Sequence, residues 1–153
     1  AVLRGEVDLA VITLPPQVEP PLEALLLWPD PLTAVASSTH PLAKPGAVKL
    51  ERLGQYPAIL PGEATFTRQL IEEGLARLGV TPLVAFSTNY LETIKMMVVV
   101  GLGWSVLPRT MRDRELVELN IDGLRLERTL GVVRHTGRTL SNAARAILDT
   151  LRE

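Results

Sequence analysis

Few residues in this sequence could perform catalysis or hold a metal ion. His40 and His135 are the only histidines, and the sequence contains no cysteine. His40 stands before Pro41, which is typical of a turn, and a general base is the alternative interpretation. A nucleophilic serine would be supported by a Gly-x-Ser-x-Gly motif, which is absent, and no pair of ligands falls at the helical spacing that a metal site uses. We therefore expect no catalytic residue, no metal ion and no cofactor.

Binding of a small anion has better support, at two places where a predicted strand leads into a predicted helix. The polar residues there are Thr65 and Thr67, with Phe66 between them, and Ser87, Thr88 and Asn89. Hydroxyls, an amide and free backbone N–H groups at a helix N-terminus favour a carboxylate, through charge-assisted hydrogen bonds and the helix dipole. The alternative interpretation is that these residues only cap their helices.

A third candidate is Thr13, the polar residue at the end of an apolar run from Val7 to Leu14. A local hydrogen bond is the alternative explanation for its position. Trp104 and Ser105 are weaker candidates, and Trp104 is more typical of a core residue.

The elements that would position these residues alternate between strands and helices. A strand at 56–60 is followed by a helix that ends near Gly79, and a strand at 83–86 follows. Asn89 is the predicted N-cap of the next helix, with Glu92 in the position of a capping-box acid. The apolar face predicted for this helix consists of Leu91, Ile94, Met97, Val98 and Leu102. A short strand at 104–107 closes the second strand–helix–strand unit.

The remaining segments extend the same pattern. The run at 7–14 is predicted to be a fully buried, central strand of a parallel sheet. Strands at 22–28 and 32–36 are predicted to be separated by Pro29-Asp30-Pro31, and the last helix is predicted to begin at Thr139 or Ser141. Strands that alternate with helices indicate the α/β fold class.

Composition limits the classes of protein that the chain can represent. Its 153 residues are 46% hydrophobic, which is enough for one domain or two small lobes. The 16 basic and 17 acidic residues are interleaved, so no face predicts nucleic-acid binding. There is no apolar run of about 18 residues and no visible signal peptide. We expect no contact with a membrane and a cytoplasmic location.

Three segments, in this order, carry a resemblance to a known family. They are Gly5 to Ile12 (Gly-Glu-Val-Asp-Leu-Ala-Val-Ile), Ser38 to Ala43 (Ser-Thr-His-Pro-Leu-Ala) and Val100 to Pro108 (Val-Gly-Leu-Gly-Trp-Ser-Val-Leu-Pro). Together they resemble the effector-binding domain of LysR-type transcriptional regulators. The resemblance implies two Rossmann-like lobes joined by crossing strands, similar to type II periplasmic binding proteins, with a ligand in the cleft. One lobe would be 34–133 and the other 1–33 plus 134–153, with the first strand, helix and strand of that second lobe absent.

The same resemblance implies a function. The chain would be the effector-sensing part of a bacterial regulator and would bind an anionic metabolite, expected to be a carboxylate. Thr13, Thr65, Phe66, Thr88 and Asn89 match positions that contact effectors in the family. A homodimer or tetramer is expected, and DNA would be bound only through a domain absent from this chain. A periplasmic solute-binding receptor is the alternative, and an enzyme on the same scaffold is a third hypothesis.

Overall fold

A computed structural model describes residues 1–152, leaving only Glu153 outside the described residues. The elements are β1 (Leu9–Thr13), β2 (Leu22–Ser37), α1 (Leu50–Leu53), β3 (Pro57–Leu60), α2 (Phe66–Arg77), β4 (Leu83–Ser87), α3 (Leu91–Val99), β5 (Ser105–Pro108), β6 (Leu116–Glu118), β7 (Leu126–His135) and α4 (Asn142–Leu151). The predicted alternation of strands and helices is confirmed. None of the helices described is long and apolar enough to span a membrane.

The chain divides into two compact units. Unit 1 comprises Ala1–Pro29 and Thr129–Glu153, and unit 2 comprises Asp30–Arg128. Strands β2 and β7 each begin in one unit and end in the other. The predicted lobe boundaries, at 33/34 and 133/134, lie within these same two strands and stay predictions. The last residue of the predicted range 134–153 lies outside the described residues.

In unit 1, β1 pairs with β7 in antiparallel fashion, from Leu9 opposite Arg134 to Thr13 opposite Leu130. The prediction of a fully buried strand in a parallel sheet is therefore wrong for β1. Val11 is 56% exposed and Ile12 is 37% exposed. An apolar run predicts a strand, but it does not show whether the strand lies at the edge of a sheet or at its centre. The burial of a strand depends on the elements packed beside it, which are distant in sequence.

Strand β2 is continuous over 16 residues, so the predicted break at Pro29-Asp30-Pro31 is wrong. The two prolines are two residues apart, and alternate residues of a strand direct their N–H groups to the same side. Only one side of the strand therefore loses donors, which allows extended structure to continue through the prolines.

Unit 2 is built around a parallel strand–helix–strand arrangement. Strand β3 pairs in parallel with β4, from Pro57 opposite Leu83 to Leu60 opposite Ser87, as predicted for the first strand–helix–strand unit. Ala58 also forms a parallel bridge with Trp104, just before β5. Trp104 is fully buried, and its Nε1 donates hydrogen bonds to the carbonyl oxygens of Leu53 and Tyr56, each at 3.2 Å. The indole is therefore a core residue with a satisfied donor.

The two helices of this arrangement end as the sequence predicts. Gly79 follows α2 with a φ of +73°, and Gly101 follows α3 with a φ of +85°. Both are left-handed conformations that glycine adopts without a steric penalty. Within the predicted buried face of α3, Ile94 and Val98 are fully buried. Leu102 is 55% exposed, so its assignment to that face is wrong, because the helix has already ended at Val99.

Candidate ligand-binding site

Thr65 is the N-cap of α2. Capping is the role that the sequence predicted as the alternative to ligand binding. Thr65 Oγ1 accepts a hydrogen bond from the Arg68 N–H at 3.2 Å and donates one to the Gly62 carbonyl oxygen at 2.8 Å. The first bond satisfies one of the unpaired donors at the helix N-terminus. The second fixes the loop that connects β3 to the helix. Phe66, the first helical residue, is 45% exposed beside this cap.

The loop between β4 and α3 is bonded to the same region. Thr88 donates its backbone N–H to the Leu60 carbonyl oxygen at 3.2 Å, and its Oγ1 accepts from the Tyr90 N–H at 3.3 Å. Asn89 Oδ1 accepts from the Gly62 N–H at 3.0 Å. The two helix starts therefore lie together at one edge of the sheet formed by β3 and β4. Gly62 links them, since it contacts the α2 cap through its carbonyl and Asn89 through its N–H.

Asn89 is not the N-cap of α3, so the predicted capping box is wrong. Tyr90 occupies the cap position and provides no side-chain hydrogen bond to the helix. The amide of Asn89 serves the neighbouring loop instead, where a glycine allows close approach: a Cβ on Gly62 would lie 2.6 Å from Asn89 Oδ1. Helix α3 consequently begins without a side-chain cap, next to the exposed residues Asn89 and Tyr90.

Arg68 is part of this region and was missed by the sequence reasoning. Arg68 is only 4% exposed. Its Nη1 donates to the Pro61 carbonyl oxygen at 2.9 Å and to Ser87 Oγ at 3.2 Å, while its Nε pairs with Glu72 at 2.7 Å. The guanidinium thus connects the ends of β3 and β4 beneath the two helix starts. A usable signal was present in the sequence, because Arg68 lies three residues before Ile71 and therefore on the buried face of α2.

The electrostatics of the region favour an anion. The first turn of α2 contains no acidic residue, so no carboxylate within that turn opposes the positive end of the helix dipole. The buried guanidinium of Arg68 lies at the same helix start, and its partner Glu72 is 47% exposed, where solvent weakens the pairing. A helix N-terminus without a first-turn acid is a general feature of places where small anions bind.

The other predicted candidates lie elsewhere. Thr13 is half-buried at the end of β1 in unit 1, opposite Leu130. Trp104 and Ser105 are both fully buried in unit 2, so neither presents a side chain to solvent. Thr67 is also buried, in the first turn of α2.

His40 is a turn residue, as predicted. Its Nδ1 accepts a hydrogen bond from the Leu42 N–H at 3.1 Å, and its ring packs edge-on against Tyr56 with centroids 5.2 Å apart. Burial lowers the pKa of His40 below its ordinary value, and the nearby charge of Arg52 lowers it further. The neutral ring is therefore a structural acceptor. No group of three or more potential metal ligands occurs among residues 1–152.

The whole chain, residues 1–153, matches the family model described as the LysR substrate binding domain. It belongs to this family. The resemblance implied an α/β fold similar to that of type II periplasmic binding proteins. This fold is confirmed, because the solved structures that resemble this LysR domain are effector-binding domains of that type.

Relatives of this LysR domain are regulators of transcription. It is 36% identical over 149 residues to the HTH-type transcriptional regulator CbbR of Cereibacter sphaeroides, covering 92% of this chain and 47% of that protein. It is 33% identical over 151 residues to the RuBisCO operon transcriptional regulator of Allochromatium vinosum, covering 95% and 49%. The chain therefore spans about half the length of these relatives.

A solved structure gives the same family and a bound small molecule. The CcmR regulatory domain of Synechocystis PCC6803, in complex with 2-PG, is 28% identical and superimposes with a TM-score of 0.79. The match covers 98% of this LysR domain and 74% of that chain.

Proposed function

We propose that this LysR domain senses a small anionic metabolite for a bacterial DNA-binding transcription regulator. The anion is captured at the starts of α2 and α3, by Thr65, Phe66, Thr88 and Asn89. Thr13, at the end of β1, is proposed as a further ligand contact. The domain performs no catalysis. A ligand regulates only through its difference in affinity between two states of the regulator.

The observation that carries the proposal is the hydrogen-bonded junction of the two helix starts. Gly62 bonds to Thr65 on one side and to Asn89 on the other, so the two groups of polar residues form one surface. In this surface the start of α2 has no first-turn carboxylate and a buried arginine beneath it, whereas the first turn of α3 contains Glu92. An anion is the chemical class that such a surface favours. The complex of the similar CcmR domain with 2-PG supports a small-molecule role.

The proposal extends to the whole regulator. The curated relatives named above are transcriptional regulators about twice as long as this chain, which supports a separate DNA-binding part in the full-length protein. We propose that this protein acts in the cytoplasm as a homodimer or tetramer. A periplasmic receptor is not favoured, because the similar proteins are regulators of transcription.

A thermal-shift titration tests the anion proposal. The probes are 2-PG, succinate and its uncharged analogue succinamide. Binding raises the melting temperature with ligand concentration, by the equivalent of about 2.7 kcal/mol at one hundred times the dissociation constant. We expect a response to an anion and none to succinamide. Equal responses to succinate and succinamide, or no response to either anion, would contradict the anion proposal.

Variants locate the binding site. Thr65→Ala and Thr88→Ala remove hydroxyls from the two helix starts, and we expect each to weaken binding of the responding anion roughly tenfold. Thr65→Ser keeps the hydroxyl and should bind nearly as the unmodified chain does. Thr150→Ala, in α4 of unit 1, is the matched control for loss of a threonine hydroxyl. Unchanged affinity in both Thr65→Ala and Thr88→Ala would overturn the assignment of the site.

A further inference from the structure

Three side chains meet where β2 enters unit 2 and β7 leaves it. Asp30 and Arg128 are the first and last residues of that unit. Arg128 Nε donates to Asp30 Oδ2 at 2.7 Å, and Arg128 Nη1 donates to Thr67 Oγ1 at 3.2 Å. The Asp30 and Arg128 side chains are 9% and 12% exposed, and Thr67 is 6% exposed. One guanidinium therefore joins both strands to α2.

Within the cluster of Asp30, Arg128 and Thr67, Thr67 is the residue next to the proposed anion-binding surface. Thr67 is the second residue of α2, directly after Thr65 and Phe66 in the proposed anion-binding surface. We propose that Arg128 is a positioning residue for this surface: it holds the first turn of α2 against β2 and β7. This inference rests on the proposed function. Arg128 needs no contact with the ligand, because it acts through Thr67.

The chemistry of the cluster suits this role. A guanidinium presents its donors in a fixed planar fork, so one arginine can hold a carboxylate and a hydroxyl at the same time in defined directions. Burial of an ion pair contributes little net stability, because desolvation offsets most of the attraction. Asp30 therefore serves mainly to fix the orientation of Arg128, which in turn fixes Thr67.

Amide hydrogen exchange on the full chain tests the positioning without a ligand. The reporters are the N–H groups of Arg68 and Gln69, which bond to Thr65 Oγ1 and to the Thr65 carbonyl oxygen. We expect Arg128→Lys and Thr67→Val to raise their exchange rates roughly tenfold, since each variant removes the bond between the guanidinium and the hydroxyl. Exchange in α4 should stay unchanged.

Two further variants make the test specific. Thr67→Ser keeps the hydroxyl and should restore slow exchange. The double variant Arg128→Lys with Thr67→Val should raise exchange by less than the product of the two single effects, because both variants remove the bond between the guanidinium and the hydroxyl, although Arg128→Lys also alters the pair with Asp30. Unchanged exchange at the two reporters would overturn the proposal. An equal rise throughout residues 30–128 would also overturn it, because it would indicate a general loss of stability.

Binding of 2-PG, measured by calorimetry, separates this inference from the proposed function. If the unmodified chain binds 2-PG, we expect Thr67→Val to weaken binding roughly tenfold and Thr67→Ser to leave it unchanged. Equal affinity in Thr67→Val and the unmodified chain would overturn the role of Arg128 in the binding surface. The unmodified chain could fail to bind 2-PG while amide exchange still responds to the variants as expected. That result would support the positioning of α2 by Arg128 and contradict the proposed capture of 2-PG.

Discussion

The amide oxygen of Asn89 accepts a hydrogen bond from the backbone N–H of Gly62, and this bond joins two loops that are 27 residues apart in sequence. Because Asn89 is exposed, water can replace part of the lost interaction when the side chain is removed. The bond is one of several that hold the loop before α2 and the loop before α3 together.

We expect Asn89→Ala to lower the free energy of unfolding by roughly 0.5–1.5 kcal/mol, the usual net contribution of one hydrogen bond. Asn89→Asp keeps an acceptor for the Gly62 N–H and should cost less. The added negative charge in Asn89→Asp should nevertheless weaken binding of an anion. Urea unfolding and a ligand titration measure the two effects separately. Anion binding that Asn89→Asp leaves unchanged would argue against a ligand close to this residue.

Arg68 should contribute measurably to stability. Arg68→Met leaves the Pro61 carbonyl oxygen and Ser87 Oγ without the donor they have now, and we expect a loss of about 1–3 kcal/mol in the free energy of unfolding. Glu72→Gln is the matched control, because it removes the ion pair on the exposed side and should cost only about 0–1 kcal/mol. Equal losses in Arg68→Met and Glu72→Gln would show that the bonds to the strand ends are unimportant.

His40 should make stability depend on pH. Its pKa is lowered in the folded protein, so the unfolded chain binds the proton at a higher pH than the folded chain does. The resulting stability is complete above the ordinary histidine pKa of about 6.5 and is lost as pH falls below that value towards the folded pKa. Protonation of Nδ1 would also break its bond with the Leu42 N–H.

His40→Asn retains an acceptor but has no titratable ring, so its melting temperature should fall less between pH 7.5 and 5.5, on either side of about 6.5. Its stability at neutral pH serves as the baseline for the comparison. Identical pH profiles for the two proteins would contradict a contribution from His40.

Ser105 is fully buried, and its hydroxyl has no hydrogen-bond partner among the described residues. Removal of an unpaired buried hydroxyl relieves its desolvation cost, so Ser105→Ala should raise the free energy of unfolding by up to about 1 kcal/mol. Ser141→Ala is the contrasting control, because Ser141 caps α4 and its loss should cost about 0.5–2 kcal/mol. A destabilised Ser105→Ala variant would indicate that the hydroxyl has a partner.

Features that depend on near neighbours in sequence were predictable. The Thr65 cap could be predicted because its partner is only three residues away. The glycines after α2 and α3 could be predicted because the backbone conformation at a helix end strongly favours glycine. The alternation of strands and helices indicated the α/β class, and the family resemblance added the likeness to type II periplasmic binding proteins, which the comparisons confirm.

Features that depend on distant partners were not predictable in the same way. Asn89 has the residue type and position of a helix cap, but its partner is Gly62 in another loop. The burial of Arg68 depends on Pro61 and Ser87, and the exposure of Val11 depends on which strands adjoin β1. The ligand-binding role of Thr13, Thr65, Phe66, Thr88 and Asn89 stays a prediction.

The buried indole of Trp104 also provides an optical probe. The protein has two tryptophans, and Trp28 lies in unit 1 while Trp104 lies in unit 2. In a Trp28→Phe variant the remaining tryptophan fluorescence would report on unit 2 alone, and in a Trp104→Phe variant it would report on unit 1. The natural distribution of chromophores therefore allows the unfolding of each unit to be followed separately in one polypeptide, without an attached dye.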